Sequence, residues 1–348
     1  MIDIFSKSGK KELAGLRISE DLKKYTTFKI GGPADYFFTA KNKKDIIKAV
    51  GIAQDLKLPY YILGGGSNVL VADSGFRGLV IQIANQELEC RGREIHCGAG
   101  LALGALIRES LNQGLAGLED LSGIPGTVGG AIYGNAGAFG HFIGEKVKTV
   151  WVLDPKHSQV KIYTQKECQF DYRKSVFKRN HNIILDADFV FEPAPDKERI
   201  LKKIERAKAV RARHPYKNCA GSVFKNIPFH GYARLQSRGL QSEGRSDPEG
   251  SSDPKGSSEK QGERFLKNMP SECVQYGEIK AACLIEKLGL KNKMMGGAAI
   301  SQKHANFIVN EREAKAKDVL DLIDLVRQRV YEKYGLVLET EIQFVGFE

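Results

Sequence analysis

The stretch GIPGTVGGAIYGNAGAFG, running from Gly123 to Gly140, decides how this chain is read. Seven of its residues are glycine and none carries a charge, so any binding here must come from backbone N–H groups. Glycine costs backbone entropy, and crowding it makes sense where the chain takes unusual φ/ψ or presses its backbone against something large. Backbone amides without a Cβ in the way can wrap a pyrophosphate or the edge of a flat heterocycle. A series of tight turns in a β-rich core is the competing reading of this segment alone.

A second loop sharpens the case. Tyr60 to Asp73 reads YYILGGGSNVLVAD: an apolar strand, then Gly64, Gly65, Gly66, Ser67 and Asn68, then another apolar run. Two glycine loops, each beside an apolar strand, point to a nucleotide. Neither fits GxGxxG or GxxxxGK[ST], which disfavours a Rossmann dinucleotide fold and a P-loop NTPase.

The length of 348 residues allows two or three domains with real cores. A composition 42% hydrophobic and 27% charged is that of a soluble globular protein, and no apolar run approaches a membrane span. The opening MIDIFSKSGKKELAG has no apolar signal region, so a cytoplasmic location is expected. Six cysteines show no CxxC pair and no histidine at zinc spacing; reduced thiols and no metal site are expected. The net charge of +11 calls for anions. Basic residues are spread thinly except in KERILKKIERAKAVRAR (197–213), a helix whose charges mostly lie on a solvated face. Small polyanions account for the charge as well as nucleic acid does, so no nucleic-acid or membrane partner is expected, and the chain is taken as a monomer.

Periodicity suggests α+β. A helix is expected over Lys43–Leu56 between strands at Ala34–Ala40 and Pro59–Leu63, with short strands at Leu79–Ile83, Glu87–Cys90 and Glu94–Cys97. Further expectations are a helix at Leu103–Gln113, a hairpin over Lys148–Tyr163 about Asp154-Pro155, and a strand at Asn182–Phe191. Later come strands near Ser222–Lys225 and Asn306–Asn310, a helix at Asp318–Tyr334 and a strand at Leu336–Val345. A break near Pro193 and Pro195 is taken as the domain boundary. The expected division is a tail at 1–18, one domain at 19–195 in two lobes (about 19–83 and 84–195), and a second at 196–348. Gln236 to Arg264 is Ser, Gly, Pro and charge with one sizeable apolar side chain, Leu240, and is expected to be a disordered insert.

Seven blocks follow in an order that resembles one family: TTFKIGGPADYF (Thr26–Phe37), LGGGSNVLVAD (Leu63–Asp73), SGIPGTVGGAIYGNAGAFG (Ser122–Gly140), DYRKSVFK (Asp171–Lys178), AGSVFKN (Ala220–Asn226), GGAAISQKHANFIVN (Gly296–Asn310) and LETEIQF (Leu338–Phe344). The chain resembles the UDP-N-acetylenolpyruvylglucosamine reductases, from about Ser19 to Glu348 apart from about Ile227 to Lys280. The resemblance implies a two-lobed FAD domain of the vanillyl-alcohol-oxidase/PCMH type and a smaller α+β substrate domain. It implies tightly but non-covalently bound FAD, NADPH as hydride donor, and reduction of UDP-N-acetylglucosamine enolpyruvate to UDP-N-acetylmuramate in peptidoglycan precursor synthesis. The short span from Arg173 to Ser222 matches the compact type, without an extra tyrosine-bearing loop. FAD would be held by Gly64, Gly65, Gly66, Ser67, Asn68, Gly123, Gly126, Thr127, Gly129, Gly130, Asn135 and Gly137.

Arg173, Ser222 and Glu341 match the family's catalytic arginine, proton donor and glutamate. Hydride added to the β-carbon of an enol ether conjugated to a carboxylate leaves negative charge on the α-carbon and the carboxylate. That charge needs stabilisation and a proton. The planar guanidinium of Arg173 can hold the carboxylate at two points, Glu341 can polarise it, and Ser222 can serve as acid opposite a very basic carbanion. Tyr172 is a further substrate contact on this reading. Lys225, Asn226 and His304 meet the substrate or play structural parts, and Arg213 meets the diphosphate or is a plain helix-end cation. Two departures stand out: Thr340 and Gln343 replace a proline before, and an arginine after, the family glutamate. A different flavoprotein on the same fold, an oxidase of alcohols or 2-hydroxy acids, would explain the loops but not the three catalytic matches together.

Overall fold

A computed structural model describes residues 13–194, 196–215, 217–228, 270–275 and 277–347. They form two units: the first runs to Ala220 and resumes at Gln343, and the second is Gly221–Ile342. The expected insert at 236–264 lies outside the described residues.

The first unit holds β1 (Arg17–Asp21), β2 (Pro33–Ala40), β3 (Tyr60–Leu63), β4 (Val69–Val71) and β5 (Phe76–Ile83). Four of these form a mixed sheet in the order β1-β2-β5-β3, with β2 and β3 both parallel to β5. Between β2 and β3 runs α1 (Lys43–Asp55), opened by Asn42, whose side chain accepts the Asp45 N–H at 2.9 Å. It buries Ile46, Ala49, Val50, Ile52 and Ala53 at helical spacing. A second, antiparallel sheet orders its strands Gln159–Thr164, Val147–Asp154, Ile183–Val190, Glu94–Gly98, Leu88–Arg91. α2 (Leu103–Asn112), α3 (Val128–Gly134) and the single turn α4 (Phe177–Asn180) accompany it. The unit thus holds two sheets that share one core: Tyr36, Phe38 and Ile81 from the first join Ile95, Val150 and Phe189 from the second.

Three boundaries differ from the expectation. The basic helix α5 (Lys197–Ala212) belongs to the first unit, because Ile200 and Ala207 are buried, Lys203 reaches Asp120 at 3.4 Å and Arg211 donates to the Asp120 carbonyl at 3.2 Å. The division therefore falls at Ala220, not at 195, and Pro193 lies in a short strand, Glu192–Pro193, paired with Leu115–Ala116 inside the first unit. The expected N-terminal tail is also shorter, since Leu13 is in the core and Arg17 opens β1. At the other end only Gln343–Val345 is a strand, pairing parallel with β4 in the first unit.

The second unit is α+β. Antiparallel strands Met294–Met295, Ala298–Ile300 and Ile308–Asn310 form one sheet. α6 (Ala281–Lys287) and α7 (Ala316–Tyr334) are its main helices, and α7 buries Val319, Leu322, Ile323, Val326 and Val330. The Asp318 carboxylate accepts from the N–H groups of Lys315 (2.9 Å) and Gly297 (3.0 Å), which lowers its pKa and ties the helix start to the sheet. Gly335 ends the helix at φ +63°.

The expectation of six reduced thiols is corrected here. Cys273 and Cys283 form a disulfide, with Cα atoms 5.3 Å apart. A fold-back between them brings the pair together, closed by the Lys280 N–H donating to the Cys273 carbonyl at 2.8 Å. Cys90, Cys97, Cys168 and Cys219 are in no disulfide, and burial pushes the Cys168 thiol up to about 12.

Candidate functional site

The two glycine loops lock into each other. A Cβ on Gly65 would stand 3.0 Å from the Gly126 Cα, one on Gly126 would stand 2.8 Å from the Ser67 Oγ, and one on Gly64 the same distance from the Thr127 Oγ1. Ser67 Oγ also donates to the Pro125 carbonyl at 3.1 Å. Gly66 turns left-handed at φ +63°, its carbonyl taking the Thr27 N–H at 3.0 Å, and a side chain there would strike the Tyr25 carbonyl. Gly129 presses on Ala99 and donates its N–H to the Ala99 carbonyl at 2.8 Å. Thr127 caps α3, accepting the Gly130 N–H at 3.3 Å.

This lattice tests whether the residues fit a flavin dinucleotide. Residues 64–68 form a bend without hydrogen-bonded turns, and the N–H groups of Gly65, Gly66 and Ser67 have no backbone acceptor among the described residues. Consecutive unspent amides of this kind suit an anion. A Cβ at Gly130 would meet nothing nearer than 3.5 Å, and one at Gly134 would meet nothing within 4 Å. Packing does not require glycine at those helix positions, where it costs about 1 kcal/mol against alanine. The open space there is room for a ligand's close approach, so the residues fit.

Arg173 stands in the same unit, at the tip of a hairpin. Asp171 and Lys174 exchange backbone hydrogen bonds (3.2 and 3.0 Å), leaving Tyr172 and Arg173 as the turn, with Arg173 left-handed at φ +54°. Such a backbone costs a non-glycine residue roughly 1–2 kcal/mol, so the surroundings must hold it. Asn135 Nδ2 donates to the Asp171 carbonyl (2.9 Å), Lys178 Nζ donates to the Arg173 carbonyl (2.8 Å), and Ser175 Oγ donates to the Tyr133 carbonyl (2.7 Å). Both terminal nitrogens of the guanidinium then lie 3.5 Å from the Gly137 carbonyl, and the fork lies 5.2 Å from the centre of the Tyr172 ring. The catalytic candidate and the glycine loop meet at Gly137. Asn135, expected to contact the cofactor, braces this hairpin: its Oδ1 also accepts the Gly144 N–H at 3.2 Å. Gly123 abuts Arg211, whose Cδ would lie 3.1 Å from a Cβ there. Sequence reasoning singled out Arg213, which is exposed at the end of α5, and passed over Arg211, half-buried against Asp120 and Phe139.

The second unit groups Ser222, Lys225, Asn226, His304 and Glu341. The expected strand at Ser222–Lys225 is only a bridge, Phe224 opposite Thr340. It is made by the Glu341 N–H donating to the Val223 carbonyl (2.7 Å) and the Lys225 N–H donating to the Glu339 carbonyl (2.9 Å). Ser222 and Glu341 therefore occupy adjoining stations on one strand pair. The Thr340 N–H takes no part in this bridge, so the proline usual in the family and the threonine here fit the ladder equally. Gln343, the other departure, donates its N–H to the Asn68 carbonyl in the first unit at 2.9 Å.

Side chains of this group are held by neighbours. Lys225 Nζ lies 2.9 Å from the Glu339 carboxylate. Asn226 donates to Glu278 (3.0 Å) and accepts the Ala281 N–H (3.3 Å), while Lys280 Nζ reaches the same Glu278 oxygen at 2.6 Å. His304 Nδ1 accepts the Asn306 N–H at 3.3 Å, and its ring stands edge-on to Phe307. Sequence reasoning missed Asn306, which is 4% exposed and bonds both backbone groups of Phe224. An amide in a motif next to a histidine was the available signal.

One cluster among the described residues could hold a metal: Glu87, His96 and Asp186, with ligand atoms within 4.8 Å of one another. Lys43 already pairs with Asp186, and His96 with Asp188 at 2.8 Å, so two of the three groups are engaged by other partners.

Comparison with known proteins agrees with this geometry. Residues 34–162 match an FAD binding domain, and residues 213–345 match the C-terminal domain of UDP-N-acetylenolpyruvoylglucosamine reductase. A UDP-N-acetylenolpyruvoylglucosamine reductase of Solibacter usitatus is 35% identical over 335 residues, covering 94% of this chain and 96% of that protein. One of Halalkalibacterium halodurans is 35% identical over 342 residues, covering 96% of each. The crystal structure of the Thermus caldophilus reductase superimposes with a TM-score of 0.68 at 30% identity, covering 95% of this chain and 98% of that one. An oxidase of alcohols or 2-hydroxy acids would leave the match over 213–345 unexplained. With glycine loops that fit a flavin and full-length relatives of one kind, the chain belongs to the UDP-N-acetylenolpyruvoylglucosamine reductases, FAD-dependent oxidoreductases of peptidoglycan precursor synthesis.

Proposed function

We propose that Arg173, Ser222 and Glu341 carry the reduction of UDP-N-acetylglucosamine enolpyruvate in this chain. Bound FAD, recharged by NADPH, supplies the hydride. The Gly65–Ser67 amides and the glycines around α3 bind the dinucleotide through backbone. Arg173 takes the substrate carboxylate and stabilises the charge that develops there. Ser222 Oγ–H gives its proton to the α-carbon, a positioned acid worth roughly 10²–10⁴ in rate. Glu341 polarises the carboxylate, and Lys225, Asn226, Lys280 and His304 orient the nucleotide-sugar.

The observation that carries this reading is the forced Arg173 turn, three times braced, with its fork on the carbonyl of the flavin loop. Among the described residues no helix is long and apolar enough to cross a membrane. A cytoplasmic monomer without nucleic-acid partner is the proposed working form, supported by the thin spread of basic residues outside α5.

The test is anaerobic. Purified protein is reduced with NADPH, UDP-N-acetylglucosamine enolpyruvate is added, and flavin absorbance is followed. Rapid reoxidation is expected; a flavin that stays reduced until air enters would overturn the reading. Ser222→Ala is expected to keep flavin reduction by NADPH and lose reoxidation by substrate. Equal damage to both half-reactions would remove Ser222 as proton donor.

A further inference from the structure

The segment that carries Ser222 is gripped along both edges, and one grip is a single side chain. On one edge Val223 and Lys225 bond to Glu341 and Glu339. On the other, Asn306 Oδ1 accepts the Phe224 N–H at 2.9 Å, Asn306 Nδ2 donates to the Phe224 carbonyl at 2.8 Å, and the Asn306 carbonyl accepts the Val223 N–H at 2.8 Å. The amide thus replaces a missing strand. It must offer a donor and an acceptor on one short planar group, which aspartate and leucine do not. The Asn306 N–H meanwhile donates to His304 Nδ1, which leaves the proton of the neutral ring on Nε2.

We propose that Asn306 is a positioning residue for the proton transfer. It fixes the backbone two residues from Ser222 in register with Glu341, and it fixes the orientation of His304. It touches no substrate itself. The inference rests on the reading of Ser222 as proton donor. A shift of about 1 Å in a supporting group can cost roughly 10²-fold in rate, which is the effect at stake.

The experiment uses the full-chain holoenzyme and separates the half-reactions by stopped flow. Asn306→Ala is expected to slow reoxidation by UDP-N-acetylglucosamine enolpyruvate about 10²-fold, with flavin reduction by NADPH nearly unchanged. The solvent deuterium isotope effect on reoxidation should rise, because proton transfer then limits the step. Asn306→Asp keeps the acceptor for the Phe224 N–H but faces the Phe224 carbonyl with an oxygen. Its reoxidation should recover as pH falls and the buried carboxyl, its pKa raised by desolvation, regains a donor. Ser222→Ala is run beside them. If Ser222→Ala reoxidises at the wild-type rate, the reading beneath the inference has failed. If Ser222→Ala stops reoxidation but Asn306→Ala slows neither half-reaction, or both alike, the positioning role is overturned. Should Asn306→Ala fail to fold, the pH profile of Asn306→Asp decides: recovery in acid supports the role, and a profile parallel to wild type overturns it.

Discussion

The first unit makes its site from backbone, and the second makes its site from side chains. Around Gly64–Asn68 and Gly123–Gly137 the proposed working groups are amides, and the glycines let two loops approach until Gly65 and Gly126 nearly touch. Around Ser222 the proposed working groups are side chains, and other side chains hold them or the backbone that carries them: Glu339 for Lys225, Glu278 for Asn226, Asn306 for the Phe224 backbone. A backbone site fails through steric exclusion, all at once. A side-chain site fails by degrees, as each brace is removed. Arg173 is the mixed case, a side chain aimed by a left-handed turn.

The largest expected effect is on the backbone site. Gly126→Val puts a branched side chain at φ +120° and into the Ser67 Oγ, so the loops must part. Purified protein should be nearly colourless, read from the ratio of absorbance near the flavin maximum to that of protein. Stoichiometric flavin in this variant would break the comparison. Gly134→Ala sharpens it: nothing crowds a Cβ there, and the helix gains about 1 kcal/mol of propensity. Higher thermal stability with lower flavin occupancy would tie that glycine to the ligand rather than to packing.

Next comes the mixed case. Asn135→Ala leaves the Asp171 carbonyl and the Gly144 N–H without their partner, at roughly 1–3 kcal/mol for each group that stays buried. The Tyr172-Arg173 turn should relax, and kcat/KM for the enolpyruvyl substrate should fall more than flavin affinity does. An equal loss in both would mean that Asn135 serves the flavin loop as much as the arginine.

A third test concerns the staple of the second unit. Closing a loop of about ten residues is worth somewhat under about 3 kcal/mol in the chain-entropy account. Thiol titration of unfolded, unreduced protein should find four groups, and reduction should raise this to the six in the sequence. Replacing Cys273 and Cys283 with serine should lower stability and raise KM, because Glu278 and Lys280 lie between the cysteines. Six titratable thiols before reduction would show the pair open in solution.

The same contrast explains what could be read from sequence. Periodicity found α1 and α7 to within two residues, because a one-sided apolar stripe is local information. Glycine density found both loops of the first unit, since close approach leaves its mark on composition. The second unit yielded its residues only through resemblance: Phe224, Thr340 and Asn306 are far apart in the chain, and nothing local says that an amide at 306 completes a strand at 224. α5 was placed in the second domain because a stripe of Ile200 and Ala207, with Arg211 on the same face, does not say which core it packs on. The Cys273–Cys283 pair escaped because Cys273 lies where the resemblance lapses, after the polar insert.

The smallest effect lies at the end of α5, where the first unit departs from its backbone rule and relies on titratable side chains. His214 is half-buried, and its pKa is lowered by desolvation first and by the neighbouring Arg211 cation second. In the unfolded chain the ring titrates near 6.5, whereas the folded protein prefers it neutral. A group whose folded pKa is depressed keeps its stabilising contribution above the unfolded value and loses it as pH falls below that value. Thermal stability should therefore decline as pH drops below about 6.5, in a window that ends at the lower folded pKa. His214→Asn should flatten that part of the profile while leaving the region above it alone. A decline of the same steepness in His214→Asn would move the acid sensitivity elsewhere, and Arg211 would then have no part in setting it.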